Sequence, residues 1–311
     1  MFMEQNSFDL KIRPISVIAQ EAIEYIEGRK DNNITSLRTR WSKFNKQCMG
    51  GIEPNTVYTF TGVSGTGKSS LANLIQTDLI DLNPNEDIII LTFSLEMVGF
   101  RQVGRTLSNK LKKTTSELYS SEKSLDDETF NNVVKVANSL KSYPIYFIDS
   151  PGTAKQVEET IYKFYDKYVK GTNKHFIIMY DHALLTKREG TIMETISNLL
   201  QVFIQVKKLS YTSIILLTQM NRNIESPERI NNQSAHYPMR SDLSSSDAIF
   251  QGSDYVLALH RPELLGITEY GPRRLPTLNR IYMHILKNRD AGKPCILEFE
   301  NDLAHNNLIE K

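Results

Sequence analysis

The sequence predicts an α/β protein with a mainly parallel central sheet, helices on both faces of that sheet and a C-terminal antiparallel hairpin. Three observations support this prediction. Strands alternate with amphipathic helices from residue 56 onward, several strands are apolar along their whole length, and the last two runs alternate apolar with polar residues. Strands that are apolar throughout need cover on both faces, and alternation of strands with helices favours parallel pairing.

The elements follow one another at ordinary spacing. Strands are predicted at 56–62, 88–94, 143–149, 175–181, 213–219 and 254–260, with the hairpin at 280–290 and 295–300. Apolar residues at helical spacing predict helices at 15–27, 69–80, 97–111, 126–141, 154–169 and 192–209. The polar stretch GRKDNNITS after the first helix indicates a linker. We therefore predict a helix and linker at 1–34 and one large domain at 35–311. The first helix would pack on its own domain or dock on a neighbouring subunit.

Composition excludes several classes of protein. The chain has 311 residues, 40% of them hydrophobic, and a formal net charge of +1, which excludes a disordered chain and a polybasic nucleic-acid-binding protein. Its 2 cysteines allow neither a disulfide framework nor a four-thiolate zinc site. No apolar run reaches the roughly 18 residues of a membrane span. These features predict a soluble protein of a reducing cytosol, without a membrane partner.

The strongest motif is a complete G-x-x-x-x-G-K-[ST] between a predicted strand and a predicted helix. It comprises Gly62, Val63, Ser64, Gly65, Thr66, Gly67, Lys68 and Ser69, and Ser70 completes the predicted nucleotide-binding set. Glycines let the loop curl, so that its backbone N–H groups and the helix N-terminus point at phosphate. Lys68 would reach the β- and γ-phosphates, and the Ser69 hydroxyl would bind Mg²⁺. The motif predicts a site for a nucleoside triphosphate.

Polar residues at the ends of three other strands would complete such a site. Asp181 ends the strand HFIIMYD and would supply a second metal ligand, Glu96 follows IIILTFS and would act on water, and Gln219 closes SIILLTQ and would contact the γ-phosphate. Ligands of open α/β sheets bind at the carboxyl ends of the strands. Each residue also has a purely structural interpretation, as a strand cap or a helix N-terminal residue. Their convergence at one edge favours the functional one.

Taken together, these strings resemble the RecA-like motor domain of DnaB-type replicative helicases, which form hexameric rings. The resemblance runs with gaps from about residue 35 to residue 300 and rests on Gly50-Gly51, GVSGTGKSS, FSLEM at 93–97, IDSPG at 148–152, MYDHALL at 179–185, LLTQMNR at 216–222, SDLSSSDAIFQGSDYVLALHR at 241–261 and KNRD at 287–290. It implies an ATP-dependent ring helicase that uses Mg²⁺, translocates on single-stranded DNA and unwinds duplex.

The resemblance also implies a role for individual residues. Glu96 would be the catalytic base, Asp181 would complete the metal shell, and Gln219 would be the γ-phosphate sensor that couples hydrolysis to the DNA-facing loops. Arg289, with Lys287 beside it, would be the arginine finger that enters the site of a neighbouring subunit of a homohexamer. The first helix would be the linker helix that docks on the adjacent subunit.

Two departures from the family pattern bear on partners. The family's primase-interacting N-terminal domain has no counterpart here, so we expect any loader or primase contact to be made otherwise. The DNA-contacting segment that usually reads S-D-L-R-E-S-G carries serines and an aspartate at 244–247. Serine hydroxyls can still bind phosphates, whereas Asp247 would repel them. The residues predicted to contact DNA, or to supply compensating charge, are Arg222, Arg229, Arg240, Ser244, Ser245 and Ser246.

Two other functions fit the same motifs. One is a recombinase-like, DNA-dependent ATPase, which shares the phosphate loop and the sheet. The other is a helicase-related ATPase that acts as an assembly or loading factor, an interpretation favoured by the serine-rich loop. A small-molecule kinase fits less well, because nothing in the sequence indicates a pocket for an acceptor.

Overall fold

The computed structural model describes residues 12–233, 236–243, 246–289, 292 and 294–311. The strands are β1 (Val57–Thr61), β2 (Ile88–Ser94), β3 (Ile145–Ile148), β4 (His175–Asp181), β5 (Thr212–Leu217), β6 (Tyr255–His260), β7 (Glu269–Tyr270), β8 (Leu275–Pro276), β9 (Arg280–Asn288), β10 (Cys295–Asp302) and β11 (Asn307–Glu310). The helices are α1 (Ile15–Lys30), α2 (Ser42–Gln47), α3 (Lys68–Asp81), α4 (Gly99–Leu111), α5 (Thr115–Tyr119), α6 (Asp127–Leu140), α7 (Ala154–Tyr168), α8 (Ile192–Val206), α9 (Pro227–Asn231) and α10 (Ser246–Gly252). None of the helices in these ranges is long and apolar enough to cross a bilayer.

The central sheet has the order β11-β10-β9-β6-β1-β5-β4-β2-β3. The strands from β6 to β3 in this order are parallel to their neighbours. The strands β9, β10 and β11 then continue the sheet in antiparallel fashion. The predicted α/β architecture, with its parallel sheet and antiparallel C-terminal part, is confirmed.

The two faces of the sheet carry separate apolar cores. Ile88 and Ile90 of β2 face the side covered by α3, whereas Ile89, Leu91 and Phe93 face the side covered by α7 and α8. This division follows from the period of 2 along a strand, which sends successive side chains to opposite faces. Strands that are buried on both faces therefore have apolar residues along most of their length, which is the pattern found in the sequence.

Two elements that the sequence analysis did not predict join the ends of the large unit. The carboxylate of Glu310 in β11 accepts hydrogen bonds from the backbone N–H groups of Lys43 (2.9 Å) and Phe44 (3.1 Å) at the start of α2. The indole N–H of Trp41 donates to the Leu308 carbonyl at 2.9 Å, and Trp41 is buried. The C-terminal strand of this unit thus caps its first helix and accepts a hydrogen bond from its buried tryptophan.

The first helix belongs to a separate compact unit, because the division of contacts along the chain falls between Ser36 and Leu37. All residues of α1 are described, and none is buried. Its exposed apolar side chains are Ile15, Val17, Ile18, Ile23, Tyr25 and Ile26.

Three histidines, His236, His260 and His284, lie in one aromatic cluster with Tyr237 and Tyr270. His236 and His260 are fully buried, and none of their four ring nitrogens has a hydrogen-bond partner among the described residues. The Nε2 atom of His284 lies 2.6 Å from the Tyr270 hydroxyl, and the Tyr270 ring stacks on His260 at a centroid distance of 5.2 Å. Burial lowers the pKa of His284 to about 3 and the pKa of His260 well below its ordinary value.

These shifts predict that the protein loses stability in mild acid. Below pH 6.5 the unfolded chain binds protons at these histidines while the folded chain does not, so the free energy of unfolding falls with pH by about 1 kcal/mol per unit for each. Replacing His260 with phenylalanine keeps an aromatic ring at this position and removes the proton that the unfolded chain binds there. We expect His260→Phe to equal the wild type in urea unfolding at pH 7 and to exceed it at pH 5.

The control is His305→Phe, because His305 lies half-exposed beside Asp302 in the β10–β11 connection. An equal loss of stability between pH 7 and pH 5 in wild type and His260→Phe would contradict this account.

Candidate active site

The phosphate loop connects β1 to α3 in the predicted position. Gly65 and Gly67 have φ angles of +80° and +90°, which a residue with a Cβ atom adopts only at a cost. The Lys68 ammonium folds back onto the loop and donates to the carbonyls of Gly62 (2.8 Å) and Val63 (2.9 Å). Burial lowers the pKa of Lys68 to about 8, although Asp181 and Glu96 act to raise it. A bound phosphate would stabilise the protonated Lys68 ammonium that burial disfavours.

Asp181 lies at the carboxyl end of β4, next to the phosphate loop. Burial raises the pKa of its carboxyl group to about 6, against the opposing effects of the Ser69 hydrogen bond, Arg105 and Lys68. Its Oδ2 atom is buried and has no hydrogen-bond partner among the described residues. A buried carboxylate oxygen without a partner, beside a serine hydroxyl, suits a hard cation with oxygen ligands. Ser69 and Asp181 therefore fit a Mg²⁺ ion.

Glu96 and Gln219 meet at the same edge beside His182, to which the sequence analysis gave no functional role. The Nδ1 atom of His182 accepts a hydrogen bond from the Leu184 backbone N–H at 3.3 Å, so the neutral ring carries its proton on Nε2. That nitrogen lies 3.9 Å from the Glu96 Oε2 atom and 3.4 Å from the side-chain nitrogen of Gln219. Glu96 is half-exposed, with a side-chain exposure of 51%, and is open to water.

Arg105 is a further site residue that the sequence analysis missed. It lies on α4, and its Nη1 atom is buried without a hydrogen-bond partner among the described residues. Burial lowers the pKa of its guanidinium, while the charges of Asp181 and Glu96 raise it. The signal in the sequence was an arginine on the helix that follows Glu96, but spacing alone does not show that it turns toward the site.

The phosphate loop, Glu96, Arg105 and Gln219 line one pocket of about 270 Å³ at the carboxyl edge of the sheet. Its lining comprises Ser64, Gly65, Gly67, Lys68, Ser69, Ser70, Glu96, Arg105, Gln219 and Leu303. The structure thus brings the predicted phosphate loop, base and sensor together. The Ser70 hydroxyl already donates to Asn306 Oδ1 at 3.2 Å. Leu303, the apolar member, comes from the β10–β11 connection, which the sequence did not place near the loop.

Lys287 and Arg289 lie elsewhere. Lys287 lies near the end of β9 and Arg289 comes just after it, where Asn288 pairs with Tyr255 at the start of β6. β6 and β1 are parallel, so this is the edge of the sheet opposite the phosphate loop. β1 has 5 residues, and the two edges are therefore about 16 Å apart at ~3.3 Å per residue. Neither cation can reach the pocket of its own chain.

The residues predicted to contact DNA are only partly available for it. Arg222 is exposed, but the Arg240 guanidinium pairs with Asp247 at 2.6 Å. Ser244 and Ser245 lie outside the described residues, and Ser246 is the first residue of α10. The expectation for Arg229 is wrong: its guanidinium is largely buried and pairs with Asp242 at 2.5 Å, so its charge serves the loop's own structure.

Comparison with known proteins identifies the family. The DnaB-like helicase C-terminal domain family matches residues 36–305. The chain belongs to this family. The match spans the phosphate loop, Glu96, Asp181, Gln219 and the two cations near the end of β9, so the resemblance noted in the sequence is confirmed.

Several curated DnaB proteins are similar to this member of the DnaB-like family. The replicative DNA helicase DnaB of Buchnera aphidicola subsp. Baizongia pistaciae (strain Bp) is 25% identical over 264 residues, which cover 84% of this chain and 54% of that protein. The replicative DNA helicase DnaB of Pasteurella multocida (strain Pm70) is 23% identical over 260 residues, 80% of this chain and 52% of that protein. The chain therefore spans about half the length of these relatives.

Solved structures agree on the fold of this DnaB-like domain. A solved ATPase domain superposes with a TM-score of 0.78 at 17% identity, covering 97% of this chain and 100% of that chain. A DnaB-like replicative helicase, described with its interactions with primase, superposes with a TM-score of 0.74 at 18% identity. It covers 98% of this chain and 68% of that chain.

The unpaired oxygen of Asp181 leads to a prediction for metal-dependent nucleotide binding. In Asp181→Asn, a Mg²⁺ ion would lose this carboxylate ligand, while Lys68 and the loop amides remain. We expect a fluorescent ATP analogue to bind this variant more than about tenfold more weakly than wild type in Mg²⁺. In EDTA the two affinities should match.

The matched control is Asp166→Asn, because Asp166 is exposed on α7 and pairs only with Lys170 among the described side chains. If Mg²⁺ raised the affinity of Asp181→Asn for the ATP analogue as much as it raises that of wild type, the assignment of Asp181 as a metal ligand would be contradicted.

Proposed function

We propose that this chain is the ATP-hydrolysing motor of a replicative DNA helicase that works as a ring on single-stranded DNA. Residues 35–311 would be the motor, and residues 1–34 the linker helix and linker. The helicase would act in the cytoplasm of a bacterial or phage-infected cell. The observation that carries this proposal is the pocket in which Lys68, Glu96, Arg105 and Gln219 meet beside Asp181, in a chain of the DnaB-like family.

The side chains of the pocket divide the work of hydrolysis. Lys68, released from the loop carbonyls, would bind the β- and γ-phosphates, and Arg105 would place a second cation in the same pocket. Ser69 and Asp181 would hold Mg²⁺, which would neutralise charge on the phosphates. Glu96 would orient water and accept its proton, since it is half-exposed and forms no close ion pair with a lysine or arginine of the described residues.

Gln219 would report the loss of the γ-phosphate to the DNA-facing loops. The next residue, Met220, donates its backbone N–H to the Gly62 carbonyl of the phosphate loop at 3.3 Å. Asn221 then donates its backbone N–H to the Asp242 carbonyl at 2.7 Å. A shift at Gln219 would therefore pass within a few residues to the loop that holds Arg222 and to the segment that ends at Leu243.

Hydrolysis would need a second subunit. Lys287 and Arg289 lie at the edge of the sheet opposite their own phosphate loop, about 16 Å away along a strand. They would therefore act on the triphosphate of a neighbour, where a cation stabilises the charge of the transferring phosphoryl group. A homohexamer would satisfy every site in this way. The exposed apolar side chains of α1 would dock on the adjacent subunit, as the linker helix of such a ring.

The DNA and protein partners follow from the same proposal. Single-stranded DNA would pass along the loops around Arg222 and Arg240 and the serines at 244–246, with affinity that falls as salt rises. One relative of known structure is described with primase, and primase or a loader is the partner that we propose for this chain. A recombinase-like ATPase or a loading factor would use the same pocket without unwinding.

The proposal predicts ATPase activity that single-stranded DNA stimulates, together with unwinding of a forked duplex. We expect Glu96→Gln to lower kcat by about a hundredfold or more, because proton transfer to a positioned base contributes that much. Arg289→Ala should lower kcat by roughly a thousandfold without weakening ATP binding to the subunit's own pocket. Steady-state hydrolysis and binding of a fluorescent ATP analogue measure the two effects.

Arg274→Ala is the matched control, since Arg274 is also a surface arginine and its side chain is 79% exposed. It should hydrolyse ATP as wild type does. Full activity of Arg289→Ala would remove the finger from the mechanism. Hydrolysis that ignores every nucleic acid would contradict the helicase and favour a loading factor.

A further inference from the structure

Asp254 lies at the centre of a charge cluster beside Arg289, far from the pocket of its own chain. Its carboxylate is buried, with a side-chain exposure of 6%. Arg289 Nη1 contacts its Oδ1 atom at 3.0 Å. Lys207 Nζ contacts both carboxylate oxygens, at 2.8 and 2.6 Å, and the Val57 backbone N–H donates to Oδ2 at 2.8 Å. One buried carboxylate thus holds two cations.

The surroundings of Asp254 carry more positive than negative charge. The Lys287 ammonium donates to the Phe250 carbonyl and lies 5.4 Å from the centre of the Phe250 ring. Arg289 Nη2 donates to the Gln251 carbonyl at 3.4 Å. Burial, together with the nearby charge of Arg289, lowers the pKa of Lys287. A surplus of cations around one carboxylate favours the approach of an anion.

The two cations of Asp254 differ in their freedom. The Arg289 side chain is 49% exposed and makes one contact to the carboxylate, whereas the Lys207 side chain is 16% exposed and contacts both oxygens. If Arg289 turned away, Lys207 and the Val57 amide would still satisfy Asp254. Without Lys207, departure of Arg289 would leave a buried carboxylate with no cation, which is strongly unfavourable.

We propose that Lys207 and Asp254 are positioning residues that form a latch for Arg289. In a free subunit the latch holds Arg289 against its own sheet. When a neighbour presents a bound triphosphate, Arg289 exchanges the Asp254 carboxylate for the phosphate oxygens, and Lys207 keeps Asp254 neutralised. This inference rests on the action of Arg289 in trans that is proposed above.

The latch would also link the two sites that one subunit serves. Asp254 is tied to Val57 through its backbone as well, because the Asp254 N–H donates to the Val57 carbonyl at 2.9 Å. Val57 begins β1, the strand that leads to the subunit's own phosphate loop. The residue that stores the finger is therefore tied to the strand that carries the phosphate loop of the same chain.

Mixed rings test the latch apart from the finger itself. Arg289→Ala subunits keep a complete pocket but have no finger, and Lys68→Ala subunits keep the finger but cannot bind ATP. We expect each to be inactive alone and the mixture to hydrolyse ATP, because the second donates Arg289 to the first. This reference mixture tests the trans finger. A reference mixture without activity would overturn the finger and the latch together.

The latch is then tested by changing only the donor subunit. Lys68→Ala/Lys207→Met donors should support a kcat about 10- to 100-fold below that of the reference mixture, with an unchanged KM for ATP. Lys68→Ala/Lys207→Arg donors should restore kcat, because arginine can also neutralise Asp254. The matched control is a Lys68→Ala/Lys208→Met donor, since Lys208 is the exposed neighbour. It should match the reference.

A further substitution in the donor should raise kcat instead of lowering it. Adding Asp254→Asn to the Lys207→Met donor removes the buried carboxylate that retains Arg289, so kcat should rise again. Thermal unfolding and native mass spectrometry verify that each donor folds and enters rings. If the Lys207→Met donors do not fold, the latch is tested with Lys68→Ala/Asp254→Asn donors. The kcat that these donors support should equal or exceed that of the reference mixture. A reference-level kcat with Lys207→Met donors, or a tenfold loss with Asp254→Asn donors, would overturn the latch.

Discussion

Strand direction determines which residues of this protein can share a site. β1, β2, β4 and β5 are parallel, so the phosphate loop, Glu96, Asp181 and Gln219, which follow or end these strands, meet at one edge. β9 runs the other way, and the same sheet therefore carries Lys287 and Arg289 to the opposite edge. The chain therefore presents the predicted site residues at two opposite edges of one sheet. The proposed need for a neighbouring subunit follows from this single constraint.

The charged groups of the pocket are held in an arrangement that a bound polyanion would stabilise. Lys68 donates its protons to two carbonyls of its own loop, Asp181 keeps a buried oxygen without a partner, and Arg105 keeps a buried nitrogen without one among the described residues. Burial disfavours the charged form of all three, as their shifted pKa values indicate. A polyanion with a divalent cation supplies the missing partners at once. The fold maintains this arrangement because two apolar cores, one on each face of the sheet, fix the strand ends.

The sequence predicted the parts of the fold that local patterns encode. β2 and β4 were predicted with their observed ends, because a strand buried on both faces is an unbroken apolar run. The helix α2 was missed because the carboxylate that accepts hydrogen bonds from its first backbone N–H groups belongs to Glu310, a residue that no local window contains. Arg105 and Leu303 were missed for the same reason, since tertiary packing and not spacing turns them toward the pocket. Arg229 was misjudged because a surface loop rarely buries an arginine, and here Asp242 pairs with it.

The contact between the two ends of the large unit, Leu37–Lys311, has a consequence for its synthesis. Trp41 donates to Leu308 across 267 residues, and β11 supplies both the carbonyl that accepts this bond and the carboxylate that caps α2. Residues around Trp41 leave the ribosome before β11 is made and remain without these partners until translation has passed residue 310. Contacts of such long sequence separation form late and slowly. The nascent chain therefore carries an exposed tryptophan and an uncapped helix while the residues between α2 and β11 are made, and during this interval a chaperone has an apolar segment to bind.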